Sequence, residues 1–365
     1  MKSEAERIYG LDILRSIAIL PVVMSHGGML LEAANTGFPW IPLPDGVEIF
    51  FVLSGFLIGQ ILLRSYLEHG FFTRESVMHF LKRRWFRTLP NYYLVLLLNL
   101  AFLYLGFIDG DKEKVKPAFL VFAQNLYSPL EGFFWESWSL SVEEWFYLCF
   151  PLILFLISYL SKNKTSERKF LLALTVFTLI PPILRYLKAE MMVVDDYSWD
   201  IHFRKMVPLR LDSIAAGVWC AWLKHQFPRH WGKGKLWMML AGMGLFFWLE
   251  THPMPVDTLY NKVIRFSLSS WFFAACLPYF DQIRSGSGVW YRFFTFTSKI
   301  SYSMYLVNLG LIAQVIIKQV KTPGNIHTVE QAWIWYGVFW ILVYMSSYLL
   351  YRYWEKPMTE LRERL

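Results

Sequence analysis

Charge is scarce in this chain. Asp, Glu, Lys and Arg make up only 18% of its 365 residues, against 55% hydrophobic ones, and a soluble domain carries about 25% charge. That shortage excludes an ordinary water-soluble enzyme and leaves an integral membrane protein. Cysteine is scarce too: Cys149, Cys220 and Cys276 fall one each in separate apolar runs, which excludes a loop disulfide framework and makes them small buried apolar side chains. The apolar runs lack period-two alternation, so membrane barrel strands are excluded and helices remain. A short apolar core with a small-residue cleavage site is missing, so the first run is expected to be retained rather than cleaved. No paired Gly- or Pro-broken repeat of the kind found in alternating-access transporters is present. No soluble domain is expected at either end, and residues 1–365 read as a single transmembrane domain.

What the chain does have is about ten continuous apolar runs long enough to span a bilayer. They lie at 11–31, 46–63, 88–108, 144–160, 170–187, 208–223, 235–250, 263–280, 300–317 and 332–351. The sixth and seventh are the weakest, because Arg210 and Asp212 intrude on one and Glu250 ends the other. The expected fold is all-α, a polytopic bundle of about ten transmembrane helices. The net charge of +8 could suggest nucleic acid, but the basic residues cluster on the segments that a cytoplasmic start puts inside, such as Lys82, Arg83, Arg84 and Arg87, or Arg352 and Lys356. The other loops carry acids such as Asp109, Glu131 and Asp195. This is the positive-inside pattern, so both termini are expected in the cytoplasm, the partner is the lipid bilayer, and nucleic acid is not expected.

Arg15 and His26 are the costliest residues in the first run. Eleven helical steps return to within roughly 20° of the starting direction and advance about 16 Å, so both sit on one face three turns apart. Ionisable groups at membrane depth generally face a bundle interior or a wet cavity and mark function. Asp12 lies one turn below Arg15 and can orient it.

Other polar residues sit at the edges of spans. Glu48 stands at the outer mouth of the second run, with Ser54 and Gly55 inside it, where small residues let helices approach closely. Arg84 and Arg87 are three apart, so on a helix both guanidiniums project to one side and suit a polyanion; Pro90 is placed near the start of the helix that follows. In Trp138-Ser-Leu-Ser-Val-Glu-Glu-Trp-Phe-Tyr147, the adjacent Glu143 and Glu144 diverge by about 100° on a helix, so at most one enters a common cavity, and Ser141 is placed as a cap. Arg210 and Asp212 read either as a structural ion pair or as acceptor contacts, and Tyr305 and Asn308, on one face of the ninth run, either as a polar interhelical contact or as acceptor contacts. Glu355-Lys-Pro357 follows the tenth. No metal-ligand cluster is expected.

The order and spacing of these segments resemble the type-3 membrane acyltransferases. The resemblance rests on Leu11-Asp-Ile-Leu-Arg15 through His26, Gly46 to Ile58, Arg84-x-x-Arg87, Ser139-Leu-Ser-Val-Glu-Glu-x-Phe-Tyr147, Ser301-Tyr-Ser-Met-Tyr-Leu306 and Glu355-Lys-Pro357, and covers almost the whole chain. It departs at Glu48, where the family more often has Asp, and at Asn308, where a His commonly follows the tyrosine motif. The resemblance implies an acyl-CoA-dependent O-acyltransferase of a bacterial inner membrane, moving an acyl group, often acetyl, from cytoplasmic acyl-coenzyme A to a hydroxyl of a sugar or surface glycan that can be lipid-linked. It implies that Arg15 and His26 are the family's arginine and histidine pair and that Arg84 and Arg87 contact coenzyme A. Some relatives carry an extra soluble domain; here acceptor choice is expected from the membrane domain.

The expected mechanism places coenzyme A phosphates on Arg15, Arg84 and Arg87, with Asp12 behind them, and the thioester near His26 as general base. Direct transfer is expected, with a transient acyl-histidine as the alternative. Glu144 is the expected partner of His26, with Glu143 and Glu48 as alternatives, on the logic of a triad without its serine. Trp138, with Trp135, Tyr197 and Trp199, is expected to stack on a sugar. The rival reading is a transporter or exporter whose path is lined by Arg15 and His26.

Overall fold

The computed structural model describes residues 7–33, 43–69, 73–160, 167–321 and 328–361. Ten long helices account for the ten apolar runs: α1 Tyr9–Ala33, α2 Gly46–His69, α3 Arg74–Tyr104, α4 Ser137–Leu160, α5 Glu167–Ala189, α6 Leu211–Gln226, α7 Lys235–Thr251, α8 Tyr260–Phe280, α9 Gly288–Val320 and α10 Val329–Leu361. No strand occurs among the described residues. Eight of the ten are long and apolar enough to cross a bilayer, as a multi-pass membrane protein requires. The exceptions are α6 and α7, with 16 and 17 residues; at 1.5 Å per residue they reach only about 24 to 26 Å of a core roughly 30 Å thick. These are the two runs that charged residues interrupted.

Small residues set the helix packing where the sequence has them. α2 and α6 touch backbone to backbone, since a Cβ on Gly55 would lie 1.9 Å from the Ile214 carbonyl oxygen and one on Gly217 would lie 2.0 Å from that of Val52. Gly55 therefore serves close approach. Ser54, on the next helical step, instead turns its hydroxyl to the Tyr147 hydroxyl of α4.

Several local expectations are corrected. Pro90 lies well inside α3, not at its start, because the basic segment and the apolar run form one 31-residue helix capped at Thr73, whose Oγ1 accepts the Ser76 N–H at 3.1 Å. Nearby carbonyls are met from outside the helix: Tyr302 donates to Thr88 at 2.8 Å and Trp354 to Pro90 at 3.1 Å. Ser141 caps nothing, because α4 begins at Ser137 and the Ser141 hydroxyl donates back to the Ser137 carbonyl. Glu355 is not in a free tail. α10 runs on through it, and its carboxylate accepts from Asn91 of α3 at 2.9 Å and Ser303 of α9 at 2.6 Å.

The loop between α3 and α4 folds back against both helices. Tyr92 and Tyr93 donate to the carbonyls of Phe119 and Leu120 at 2.8 and 2.7 Å, and the Trp145 indole donates to Phe122 at 2.9 Å. Buried irregular backbone needs such partners.

Candidate active site

α1 and α9 run side by side, and that pairing brings Arg15 and His26 to separate partners on one helix. The Arg15 guanidinium reaches Ser298 at 3.4 Å, and His26 Nδ1 meets Asn308 Oδ1 at 2.5 Å. The expected face and spacing along α1 are matched on its neighbour.

Each end opens into its own cavity. The His26 cavity, about 600 Å³, is walled by α1, by Asp45 and Glu48 at the start of α2, by Trp135, Glu136 and Trp138 leading into α4, by Trp199, Arg204 and Lys205, and by Tyr305. The arginine cavity, about 110 Å³, is lined by Arg15, Arg84 and Arg87 with Ser54, Glu143, Tyr147 and Tyr302. Val47 and Tyr305 line both and form the partition between them. Tyr305 is held there by Ser139 at 2.6 Å and by donating to the Glu136 carbonyl at 3.0 Å.

The orientation of the His26 ring follows from its partner. Asn308 spends both Nδ2 protons on the carbonyls of Met304 and Tyr305, at 2.7 and 2.9 Å, so its Oδ1 is the acceptor and His26 Nδ1 the donor. Nε2 then carries the lone pair, the form a general base needs. Asn308 opens a π-helical turn, Asn308–Ala313, a distortion often found at functional sites.

The glutamates expected beside His26 are elsewhere. Glu143 faces the arginine cavity. Glu144 faces a lateral groove between α3 and α4 and accepts from Thr88 at 2.8 Å; their 100° divergence sends them to different places. Glu48 lines the His26 cavity, but its carboxylate is taken by Arg210 and Ser270. The carboxylate partner is thus replaced by a neutral amide, because α9 and not α2 or α4 packs against this face of α1.

Arg210 and Asp212 do not pair with each other. Asp212 takes a bidentate fork from Arg185 of α5, at 2.9 and 2.8 Å, with both side chains buried. Neither Arg210 nor Asp212 lines either cavity. Asp12 sits behind the arginine cavity, accepting from Arg7 at 2.5 Å and Ser298 at 2.8 Å, with Arg15 3.9 Å away. Its hydrogen-bonded cation is Arg7, which sequence reasoning did not single out.

Trp135, Trp138 and Trp199 line the His26 cavity, whereas Tyr197 is exposed and does not. Cations cover these rings: Arg204 lies 5.2 Å from Trp138 and Lys205 5.2 Å from Trp135. Arg204 also pairs with Asp45 at 3.2 Å and Asp200 at 3.1 Å. Burial opposes charge at both Asp45 and Arg204, yet their mutual attraction wins, holding the Asp45 carboxyl below its ordinary value and the Arg204 guanidinium above its own. Arg204 and Lys205 were missed in the sequence. Their signal was two adjacent cations closing a segment that otherwise carries Glu190, Asp195, Asp196 and Asp200.

A family model described as an acyltransferase domain matches residues 8–352. The chain belongs to this family. Among its relatives is YrhL of Bacillus subtilis (strain 168), whose name gives it provisionally as a peptidoglycan O-acetyltransferase; it is 33% identical over 174 residues, 43% of this chain and 25% of the relative. O-acetyltransferase OatA of Staphylococcus aureus (strain NCTC 8325 / PS 47) is 28% identical over 182 residues, 45% of this chain and 28% of the relative. The matched part therefore spans about a quarter of the length of these curated relatives. No solved structure matches the chain. Family and helices together make it a multi-pass bacterial membrane protein of the acyltransferase family.

Proposed function

We propose that this protein is a membrane O-acetyltransferase that takes its acyl group from acyl-coenzyme A at the arginine cavity and delivers it to a glycan hydroxyl in the His26 cavity. The observation that carries this reading is the tautomer of His26: Asn308 Oδ1 accepts from Nδ1, which leaves Nε2 as the basic nitrogen of a side chain that lines a cavity of about 600 Å³, large enough for sugar. The relatives' names supply the acetyl group, and that of YrhL the class of acceptor, peptidoglycan.

Arg15, Arg84 and Arg87 converge on one cavity against a single carboxylate, Glu143. Three guanidinium forks suit the phosphates of coenzyme A. The pantetheine arm then runs along α1, where Arg15 and His26 are about 16 Å apart, and the thioester passes the partition of Val47 and Tyr305. The acceptor hydroxyl attacks the thioester carbonyl and gives its proton to Nε2. The tetrahedral intermediate collapses, the carbon–sulfur bond breaks, and the imidazolium returns the proton to the departing thiolate. This is direct transfer. The arginine cavity faces the cytoplasm of a bacterial inner membrane and the acceptor, free or lipid-linked, arrives from the opposite side.

The test is a paired measurement on protein in nanodiscs. His26→Ala should bind acetyl-coenzyme A as wild type does, with free coenzyme A competing, but transfer no acetyl to a glycan acceptor. Full transfer by His26→Ala would overturn the assignment.

A further inference from the structure

Glu136 has no role in the steps above, and its surroundings are unusual. It is 2% exposed and ends the loop that leads into α4. Its Oε1 accepts the Gly310 N–H at 3.2 Å, and Gly310 lies in the π-helical turn that starts with Asn308. Among the described residues Glu136 Oε2 has no hydrogen-bond partner, and neither does the buried Oδ1 of Asn99 on α3. Both side chains close on one point: a Cβ on Gly310 would lie 2.2 Å from Asn99 Oδ1 and 2.9 Å from Glu136 Oε1. Asn99 has already given its Nδ2 to the Val95 carbonyl at 2.9 Å. Glu136 and Asn99 thus both abut the glycine of the turn behind the base, each with one buried acceptor that meets no donor among the described residues.

We propose that Glu136 is a positioning residue for His26, acting as a neutral carboxylic acid that clamps the π-helical turn carrying Asn308. One proton on Oε2 supplies the donor that this cluster lacks, while Oε1 keeps the Gly310 N–H. The turn is then fixed, and with it the Asn308 Oδ1 that sets the tautomer of His26. An ionised Glu136 is acceptor-only, repels Asn99 Oδ1 and loosens the turn.

The charged and titratable neighbours fit this role. His26 faces the same cavity from α1, Asp45 and Glu48 from the start of α2, Arg204 and Lys205 from the segment before α6, and Tyr305 from α9, while Tyr92 feels Glu136 from α3. Asp45 and Glu48 are paired with Arg204 and Arg210, Lys205 with Asp200 at 2.5 Å, and Arg265 with Glu250, both also lining this cavity, at 2.7 Å, so among the described residues no cation of this cavity is committed to Glu136. Burial pushes its carboxyl up to about 7. The acid form therefore prevails below neutrality and is lost as pH rises through 7.

The inference rests on His26 being the base, so the experiment separates the two. Acetyl transfer is measured from pH 6 to pH 8 in nanodiscs for wild type, Glu136→Gln and Glu136→Ala, with acetyl-coenzyme A binding measured alongside. Wild-type kcat should fall about tenfold across that interval, the span of one unit either side of the pKa. Glu136→Gln, whose amide supplies both a donor and an acceptor, should lose this alkaline fall. Glu136→Ala should lower kcat about tenfold at pH 6 with the donor KM unchanged, and should approach the wild-type value at pH 8, where wild type has already lost the acid form. An unaltered alkaline limb in Glu136→Gln, or wild-type kcat at pH 6 in Glu136→Ala, overturns the proposal. Full transfer by His26→Ala would instead fail the underlying reading.

Discussion

Replacing Asn308 with Leu removes the acceptor that orients His26 while keeping the side-chain volume. The wild-type contact is a 2.5 Å bond between neutral groups, and such a bond contributes about 0.5 to 1.5 kcal/mol net, while leaving a buried donor without a partner costs about 1 to 3 kcal/mol. The variant also strips the carbonyls of Met304 and Tyr305 of the Nδ2 protons they accept. At about 1.4 kcal/mol per tenfold in rate, the loss of the productive tautomer should lower kcat by about 10-fold, and by up to about 100-fold if the turn also relaxes. The donor KM should stay within about twofold, because Asn308 does not line the arginine cavity. The assay is steady-state release of coenzyme A with a glycan acceptor in proteoliposomes, fitted separately for kcat and KM. A kcat within twofold of wild type in Asn308→Leu would refute the tautomer argument.

Arg84→Ala and Arg87→Ala should each weaken acetyl-coenzyme A binding by about 10- to 100-fold, the worth of one charge-assisted hydrogen bond of about 1.5 to 3 kcal/mol, read by equilibrium binding in nanodiscs. Asp212→Asn should leave the fully buried Arg185 with an uncompensated charge at a cost of about 3 to 5 kcal/mol, seen as a lower melting temperature in detergent; an unchanged melting temperature would show that the pair contributes nothing.

Much of the arrangement is legible in local spacing because a helix converts sequence separation into direction. Eleven residues from Arg15 to His26 gave one face, three from Arg84 to Arg87 gave one side, and one step from Glu143 to Glu144 gave divergence, and each holds in the fold. What spacing does not encode is which helix lies opposite. The partner of His26 came from α9 and that of Asp212 from α5, and both were missed because such pairings belong to bundle topology. Arg185 carried a signal all the same, as the lone guanidinium in the 170–187 run, near its end. Glu136 carried none. One acid among several in a loop gives no hint that it is buried beside Gly310, and only the folded chain brings it to the turn behind the base.

The central claim is that donor and acceptor occupy opposite ends of α1 and meet at His26. It is tested most directly in proteoliposomes of uniform orientation, with acetyl-coenzyme A confined to the side of Arg84 and Arg87 and a glycan acceptor confined to the side of His26. The account predicts acetyl transfer in this arrangement, none when the two substrates are exchanged, and none with His26→Ala. Transfer with donor and acceptor both confined to one side, or transfer that survives His26→Ala, would contradict it.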